Sequence, residues 1–194
     1  MTLDPKIKAV CFDAFGTLVE IKDKRRSHAK LLGLMQEDSA NQLKHVIMRK
    51  PLSLDDCITQ YAPELTANAI QSLKDDLSAE LASITIRPRI ETLWNDLRAG
   101  GYKLAICSNL ALSYGPALLK QLPSDADALI MSYEAGSIKP ETKIYQQVCA
   151  ALNLPAEAIL FTGDTPAADV DGPKVFGMQA ELIDTLTDLS LIHI

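Results

Sequence analysis

Asp13 ends a short apolar run, residues 7–12, and is followed by Ala14-Phe15-Gly16-Thr17-Leu18. A carboxylate delivered by a buried strand and released into a Gly-Thr turn is an exposed oxygen nucleophile on a rigid mount. An isolated Asp before a turn is more often only a cap, so the assignment rests on partners elsewhere. Three candidate partners stand at the ends of other apolar runs. Ser108-Asn109 follow residues 103–107 (KLAIC). A hydroxyl and an amide there can hold an anionic oxygen without adding charge, although the pair is also ordinary turn chemistry. Lys139-Pro140 precede a helical pattern; a Lys at that place neutralises a substrate anion and orients a carboxylate, or else is a solvated loop lysine. The strongest signal is residues 160–169 (LFTGDTPAAD), where an apolar strand delivers Gly163 and Asp164, with Asp169 in the next turn. Asp13 and Asp164 side by side repel unless positive charge lies between them. Two carboxylates, a backbone carbonyl and waters make an all-oxygen site suited to Mg²⁺, which favours phosphate oxygens. Such a site presents a phosphoryl group to Asp13 for in-line attack.

These residues need a scaffold that gathers strand ends, and the pattern of the chain supplies one. Residues 7–12, 103–107, 128–131, 159–162 and 180–183 read as strands. Between them lie helical patterns at 90–99, closed by Gly100-Gly101, and at 141–152. In the latter, Ile144, Tyr145, Val148 and Leu152 recur at helical spacing, and Pro140 suits the entry. Strands alternating with helices predict a parallel sheet covered on both faces, with ligands at the carboxyl ends of its strands. Residues 20–86 differ: after Val19-Glu20-Ile21 they carry no convincing strand. They read as amphipathic helices over 27–35, 40–48, 53–61 and 66–81, punctuated by Pro51 and Pro63. The expected organisation is a catalytic core of residues 1–19 and 87–194 interrupted by an all-helical cap, residues 20–86.

Composition narrows the function. The 194 residues carry a net charge of −6 with no long Lys/Arg block, which argues against a nucleic-acid partner. No apolar stretch approaches the roughly 20 residues that span a bilayer, and the N-terminus lacks a signal-peptide pattern, so a cytoplasmic protein without a membrane partner is expected. Cys11, Cys57, Cys107 and Cys149 show no CxxC spacing and read as small core residues. Oligomeric state is not encoded in any visible pattern.

In order and spacing, the Asp13 motif, the helical insert behind it, Ser108, Lys139-Pro140 and Gly163-Asp164 with Asp169 resemble the haloacid dehalogenase superfamily. The likeness runs over nearly the whole chain, through Gly172 and Gly177-Met178. It implies a Rossmann-like core with an insert-type cap and a covalent aspartyl intermediate on Asp13. It implies further that Ser108 and Lys139 bind the transferring group and that Mg²⁺ is held by Asp13, Asp164 and the backbone carbonyl of Phe15. Asp169 would support the metal from outside its immediate ligands, and Thr17 and Asn109 are the expected substrate-binding residues.

Two positions depart from the family pattern. Family phosphatases carry a second Asp where this chain has Phe15; that Asp protonates the leaving alcohol, and a general acid is worth roughly 10²–10⁴ in rate. The dehalogenase branch has an aromatic residue there, favours an Asn after the Ser and a Tyr six residues beyond the Lys, as Asn109 and Tyr145 are here, and expels halide without an acid. Against it stands Asp164, which that branch replaces with a neutral residue. The balance favours a Mg²⁺-dependent phosphatase acting on a small anionic phosphorylated metabolite. The alternatives are a metal-independent 2-haloacid dehalogenase and a ligand-binding pseudoenzyme. Pro173 stands where a small residue is usual. In the cap, Arg25, Arg26, His28, His45, Arg49 and Lys50 are candidate anion clamps, with His28 and His45 also candidate replacement acids. Lys24, Lys30 and Lys44 are candidate Schiff-base lysines, and Trp94 reads as core.

Overall fold

The computed structural model of the protein describes residues 3–190. At its centre lies β1, Ala9–Phe12, buried along its whole length. On one side it pairs with β4, Lys103–Ser108, which pairs with β5, Ala128–Met131; on the other it pairs with β6, Ile159–Gly163, which pairs with β7, Gln179–Leu182. Every pairing in this five-stranded sheet is parallel. The near-continuous apolar runs follow from burial on both faces. Val10 and Phe12 point into a cluster with Trp94 of α5 (Ile90–Ala99) and with Ile183 and Leu186 of α10 (Ile183–Ser190). Ala9 and Cys11 point the opposite way, into a cluster with Ile144, Tyr145 and Val148 of α8 (Thr142–Leu152). Trp94 is fully buried as expected, tilted against Phe12 at 5.7 Å, and its indole N–H donates to Ser124. Each fully buried large side chain, such as Phe12, Leu104 or Ile106, contributes about 1.5–3 kcal/mol relative to exposure.

The register places the chemistry. Phe12 is level with Ile106 of β4 and Thr162 of β6. Asp13, Ser108 and Asp164 therefore leave the sheet along one carboxyl-terminal edge, next to the point where the chain, having built β4 and β5 on one side of β1, crosses to build β6 and β7 on the other.

Between β1 and β4 the chain inserts four helices, α1 (Ser27–Leu34), α2 (Glu37–Val46), α3 (Leu54–Tyr61) and α4 (Ala67–Ala82). They enclose a third apolar cluster around Leu31, Leu43, Cys57 and Leu73. Ser53 and Asp56 form a reciprocal capping box at α3, and the Thr66 hydroxyl accepts from the Ala69 N–H at α4. α2 starts three residues before the expected position, with Glu37 and Asp38 in its first turn, where the helix dipole favours acids.

One expectation is overturned. Ile84–Ile86 form β3, paired antiparallel with β2 (Val19–Ile21), so the insert leaves and returns on a two-stranded ribbon. Three residues are too few to show a period of two, and the partner lies more than 60 positions away. Smaller elements also escape the sequence pattern: α6 (Gly115–Leu119), α7 (Ser132–Ala135), a wide π-helical turn at Pro166–Asp171, and α9 (Gly172–Phe176). Pro173 sits in the first turn of α9, where its missing N–H has no helical acceptor to serve. Cys11 and Cys107 are buried in β1 and β4, Cys57 in the insert, and Cys149 is half-buried; all four are free thiols. Among the described residues no helix is long and apolar enough to cross a membrane.

Candidate active site

Asp13 emerges from β1 and is only 7% exposed. Its Oδ1 accepts from the Lys139 ammonium at 2.7 Å and from the Ser108 hydroxyl at 3.1 Å. Its Oδ2 accepts from the Thr17 hydroxyl at 3.3 Å. Lys139, 4% exposed, also donates to Asp169 Oδ1 at 2.6 Å, so one cation bridges two carboxylates. The second Asp169 oxygen accepts from the Thr165 N–H at 2.9 Å. Burial works to lower the Lys139 pKa, but the negative groups around it, Asp13 foremost, more than offset this and hold it well above 10.5. Lys139 is therefore a fixed ammonium and no base. Burial raises the Asp169 carboxyl above its ordinary range, against the pull of Lys139.

Two glycines make the crowding possible. Gly16 has φ +88°, and a Cβ there would lie 2.0 Å from Asp164 Oδ2. A Cβ on Gly163 would lie 2.3 Å from the Asp169 carboxyl carbon. Each glycine leaves the space that a carboxylate fills. As a result Asp13, Asp164 and Asp169 bring oxygens within 4.8 Å of one another. Lys139 contacts two of them; Asp164 is exposed to the cleft, with a 3.2 Å hydrogen bond from its neighbour Thr165. Three carboxylates around one lysine leave negative charge in excess, and the donors are all hard oxygens. This set fits Mg²⁺.

The expected site residues thus converge, and two of them also hold other site residues in place. Thr17 is fully buried beneath Asp13 and holds its Oδ2. Asn109 spends its side-chain amide on Lys139, donating to that residue's carbonyl at 2.9 Å and accepting from its N–H at 2.8 Å. Tyr145 is buried in α8, and its hydroxyl donates to the Ala168 carbonyl at 2.7 Å, tying down the turn that bears Asp169. Arg87, which no local pattern singled out, donates to the Gly16 and Thr17 carbonyls and steadies the turn after Asp13.

Asp13, Phe15, Ser108, Lys139, Asp164 and Asp169 line a cleft of about 160 Å³. Phe15 and Asn109 also wall a larger chamber of about 430 Å³ between the sheet edge and the insert helices. The candidate cap residues scatter. His28, Lys24 and Arg26 border that chamber. Arg25 pairs with Asp23, and Lys30 pairs with Asp76. Lys44, His45 and Lys50 are exposed. Arg49 forms a two-pronged ion pair with Glu141 at 2.6 and 2.9 Å, joining the insert to the segment just after Lys139-Pro140.

A family model for haloacid dehalogenase-like hydrolases matches residues 7–177. The chain belongs to this family. It is 25% identical over 199 residues to (S)-2-haloacid dehalogenase 1 of Pseudomonas sp. (strain CBS-3), covering 95% of this chain and 87% of that one. It is 28% identical over 109 residues to the ribulose-1,5-bisphosphate 5-phosphatase of Halopiger xanaduensis, covering 55% and 46%. A HAD family enzyme of Bacteroides thetaiotaomicron, solved in complex with magnesium and inorganic phosphate, shares the fold with a TM-score of 0.66 at 17% identity, covering 91% and 93%. The protein is thus a haloacid dehalogenase-like hydrolase with both dehalogenase and phosphatase relatives.

Proposed function

We propose that this hydrolase is a phosphatase that uses Asp13 as nucleophile and Mg²⁺ as cofactor on a small phosphomonoester. The observation that carries this reading is the surplus of carboxylate charge: Asp13, Asp164 and Asp169 share one space with Lys139 alone bridging two of them. Without a second cation, that space would repel any anionic substrate. Asp13, Asp164 and the backbone carbonyl of Phe15 would hold Mg²⁺, with Asp169 supporting it indirectly; when bound, it supplies positive charge that draws the phosphoryl group to Asp13. Residues 20–86 act as the cap over a core of residues 1–19 and 87–194.

The protein's own groups then divide the work. Asp13 attacks phosphorus, forming an aspartyl-phosphate bond as the bond to the leaving oxygen breaks. Lys139 keeps Asp13 ionised and meets the phosphoryl charge, and Ser108 turns its hydroxyl from Asp13 to a phosphoryl oxygen. Water then hydrolyses the aspartyl phosphate and restores the carboxylate. Phe15 has no proton to give, so the leaving group must be stabilised otherwise or accept its proton from solvent, and turnover is slow.

A second reading rests on the same Phe15. An aromatic side chain beside the nucleophile suits attack on carbon with expulsion of halide, and the dehalogenase likeness covers almost the whole chain. The deciding experiment measures phosphate release from phosphomonoesters during a Mg²⁺ titration, and chloride release from 2-chloropropionate in excess chelator. Strict Mg²⁺ dependence of phosphate release and no chloride support the phosphatase. Chloride release in chelator overturns it. Asp13→Asn should lower turnover about 10⁴-fold or more while leaving the melting temperature near that of the wild type. A beryllofluoride adduct on Asp13 without measurable turnover of either substrate class would mark a ligand-binding pseudoenzyme.

A further inference from the structure

The Lys139 ammonium has a neighbour besides its two carboxylates. It stands over the ring of Phe161, 5.2 Å from the ring centroid. Phe161 is a β6 residue and is fully buried, and Lys139 is 4% exposed, so water hardly reaches the contact. A buried ammonium facing hydrocarbon is costly, because nothing there answers its charge. The face of an aromatic ring is the negative part of its quadrupole, and it attracts a cation most strongly where water is excluded.

The place of the ring is itself determined by the fold. In register, Phe161 lies between Cys11 of β1 and Ala180 of β7, two small side chains that leave room for it. Its ring meets that of Tyr145 in α8 with centroids 5.8 Å and planes 89° apart. The Tyr145 hydroxyl in turn holds the Ala168 carbonyl, in the turn that carries Asp169. Phe161 and Gly163, two apart on β6, face the same side of the sheet. One strand face therefore supplies both the ring against the ammonium and the gap that the Asp169 carboxylate fills. Packing alone does not demand an aromatic ring here, since Ile159 on the same face joins the same cluster as an aliphatic.

We propose that Phe161 is a positioning residue for Lys139, its ring face holding the ammonium in place by cation–π attraction. The two carboxylates grip Lys139 through charge, and Asp13 spends its charge when it forms a covalent bond. The ring's attraction does not change with that step, so the ammonium stays beside the reacting group throughout the cycle. This rests on the catalytic reading above only in the covalent role of Asp13.

The test varies the ring's electrostatics at nearly constant shape, by incorporating mono-, di- and trifluorophenylalanine at position 161. Urea unfolding should show stability falling stepwise along the series in the wild type, and no such slope in Lys139→Met. The Tyr145 contact is common to both backgrounds, so the comparison isolates the part that depends on the ammonium. The same series at Phe176, which also packs on Tyr145, should show no comparable slope and serves as the control if Lys139→Met fails to fold. In turnover assays kcat/KM should fall about tenfold at the trifluorinated ring, with Phe161→Leu at least as low. A flat stability series overturns the contact, as do equal slopes with and without Lys139 or at the two rings. A sloped stability series with unchanged kcat/KM overturns its part in the reaction. If the slope depends on Lys139 while neither phosphate nor chloride is released from any substrate, the contact stands and the catalytic reading fails.

Discussion

The catalytic cleft and the chamber beside it share Phe15 and Asn109, yet they are built on opposite principles. In the cleft the charged groups are densely paired: Asp13 has three side-chain donors, and Lys139 is held between two carboxylates. Its residues leave one edge of a single parallel sheet, so their spacing is set by strand register. The chamber is closed by helices of a separate apolar cluster. The reactive groups are thus fixed by a rigid sheet edge, while the walls of the chamber depend on how the insert packs against it.

The largest gain in rate is expected at the boundary residue. Phe15→Asp gives the cleft a carboxyl where the phosphatase pattern has its general acid, and should raise phosphomonoester hydrolysis ~10²–10⁴-fold in initial-rate assays. An unchanged rate would mean that protonation of the leaving group does not limit turnover, and the contrast drawn at Phe15 would fail.

Lys139→Met attacks the cleft alone. It leaves Asp13 and Asp169 facing one another without their shared cation, and should cost about 3–5 kcal/mol in urea unfolding. The pH dependence has a defined sign. Asp169 has a raised folded pKa, so its contribution is fully present below 3.8 and is lost as pH rises through the folded value. Removing the Lys139 attraction enlarges that loss, so the deficit of the variant should grow from acid to neutral pH. Lys139 itself stabilises the fold below 10.5 and loses that effect only above its raised folded pKa, so the variant should lack the corresponding alkaline transition.

Arg49→Ala tests the link between the two regions and should have the smallest effect, no more than about 1 kcal/mol for a largely solvated pair. Hydrogen bonds from Arg49, then Ser137, lower the Glu141 carboxyl to about 2 from 4.5. Its contribution is present above pH 4.5 and is lost as pH falls toward about 2, so the variant should have a flatter acid limb in that window. A modest rise in KM with kcat unchanged would show that the clasp holds the chamber closed over the cleft.

Much of the cleft is legible in the sequence because each part of it is local. A buried strand shows as an apolar run, and Asp13, Ser108 and Asp164 follow such runs directly. The parallel sheet with its covering helices follows from the alternation of the two patterns. What escaped depends on distant partners. β3 is too short to carry a period, and its pairing with β2 is decided by where the insert returns. Asn109 lines the cleft as its residue type suggests, but its pairing with the Lys139 backbone, 30 residues away, leaves no mark in the local sequence. Arg87 acts on two carbonyls some 70 residues away, and no side-chain pattern records that.

The sequence by itself determined the strand runs, their succession along the chain, and the residues at their ends, Asp13, Ser108 and Asp164, since these need only neighbours along the chain. The tertiary structure alone decided that Lys139 bridges Asp13, 126 residues distant, to Asp169, and that Arg49 clasps Glu141 across 92 residues. It also decided that Ser27 serves Glu80 across 53 residues. A side chain's type states what it can donate or accept; which partner it meets, and whether water can take that partner's place, is fixed only when packing brings distant segments together and closes them to solvent.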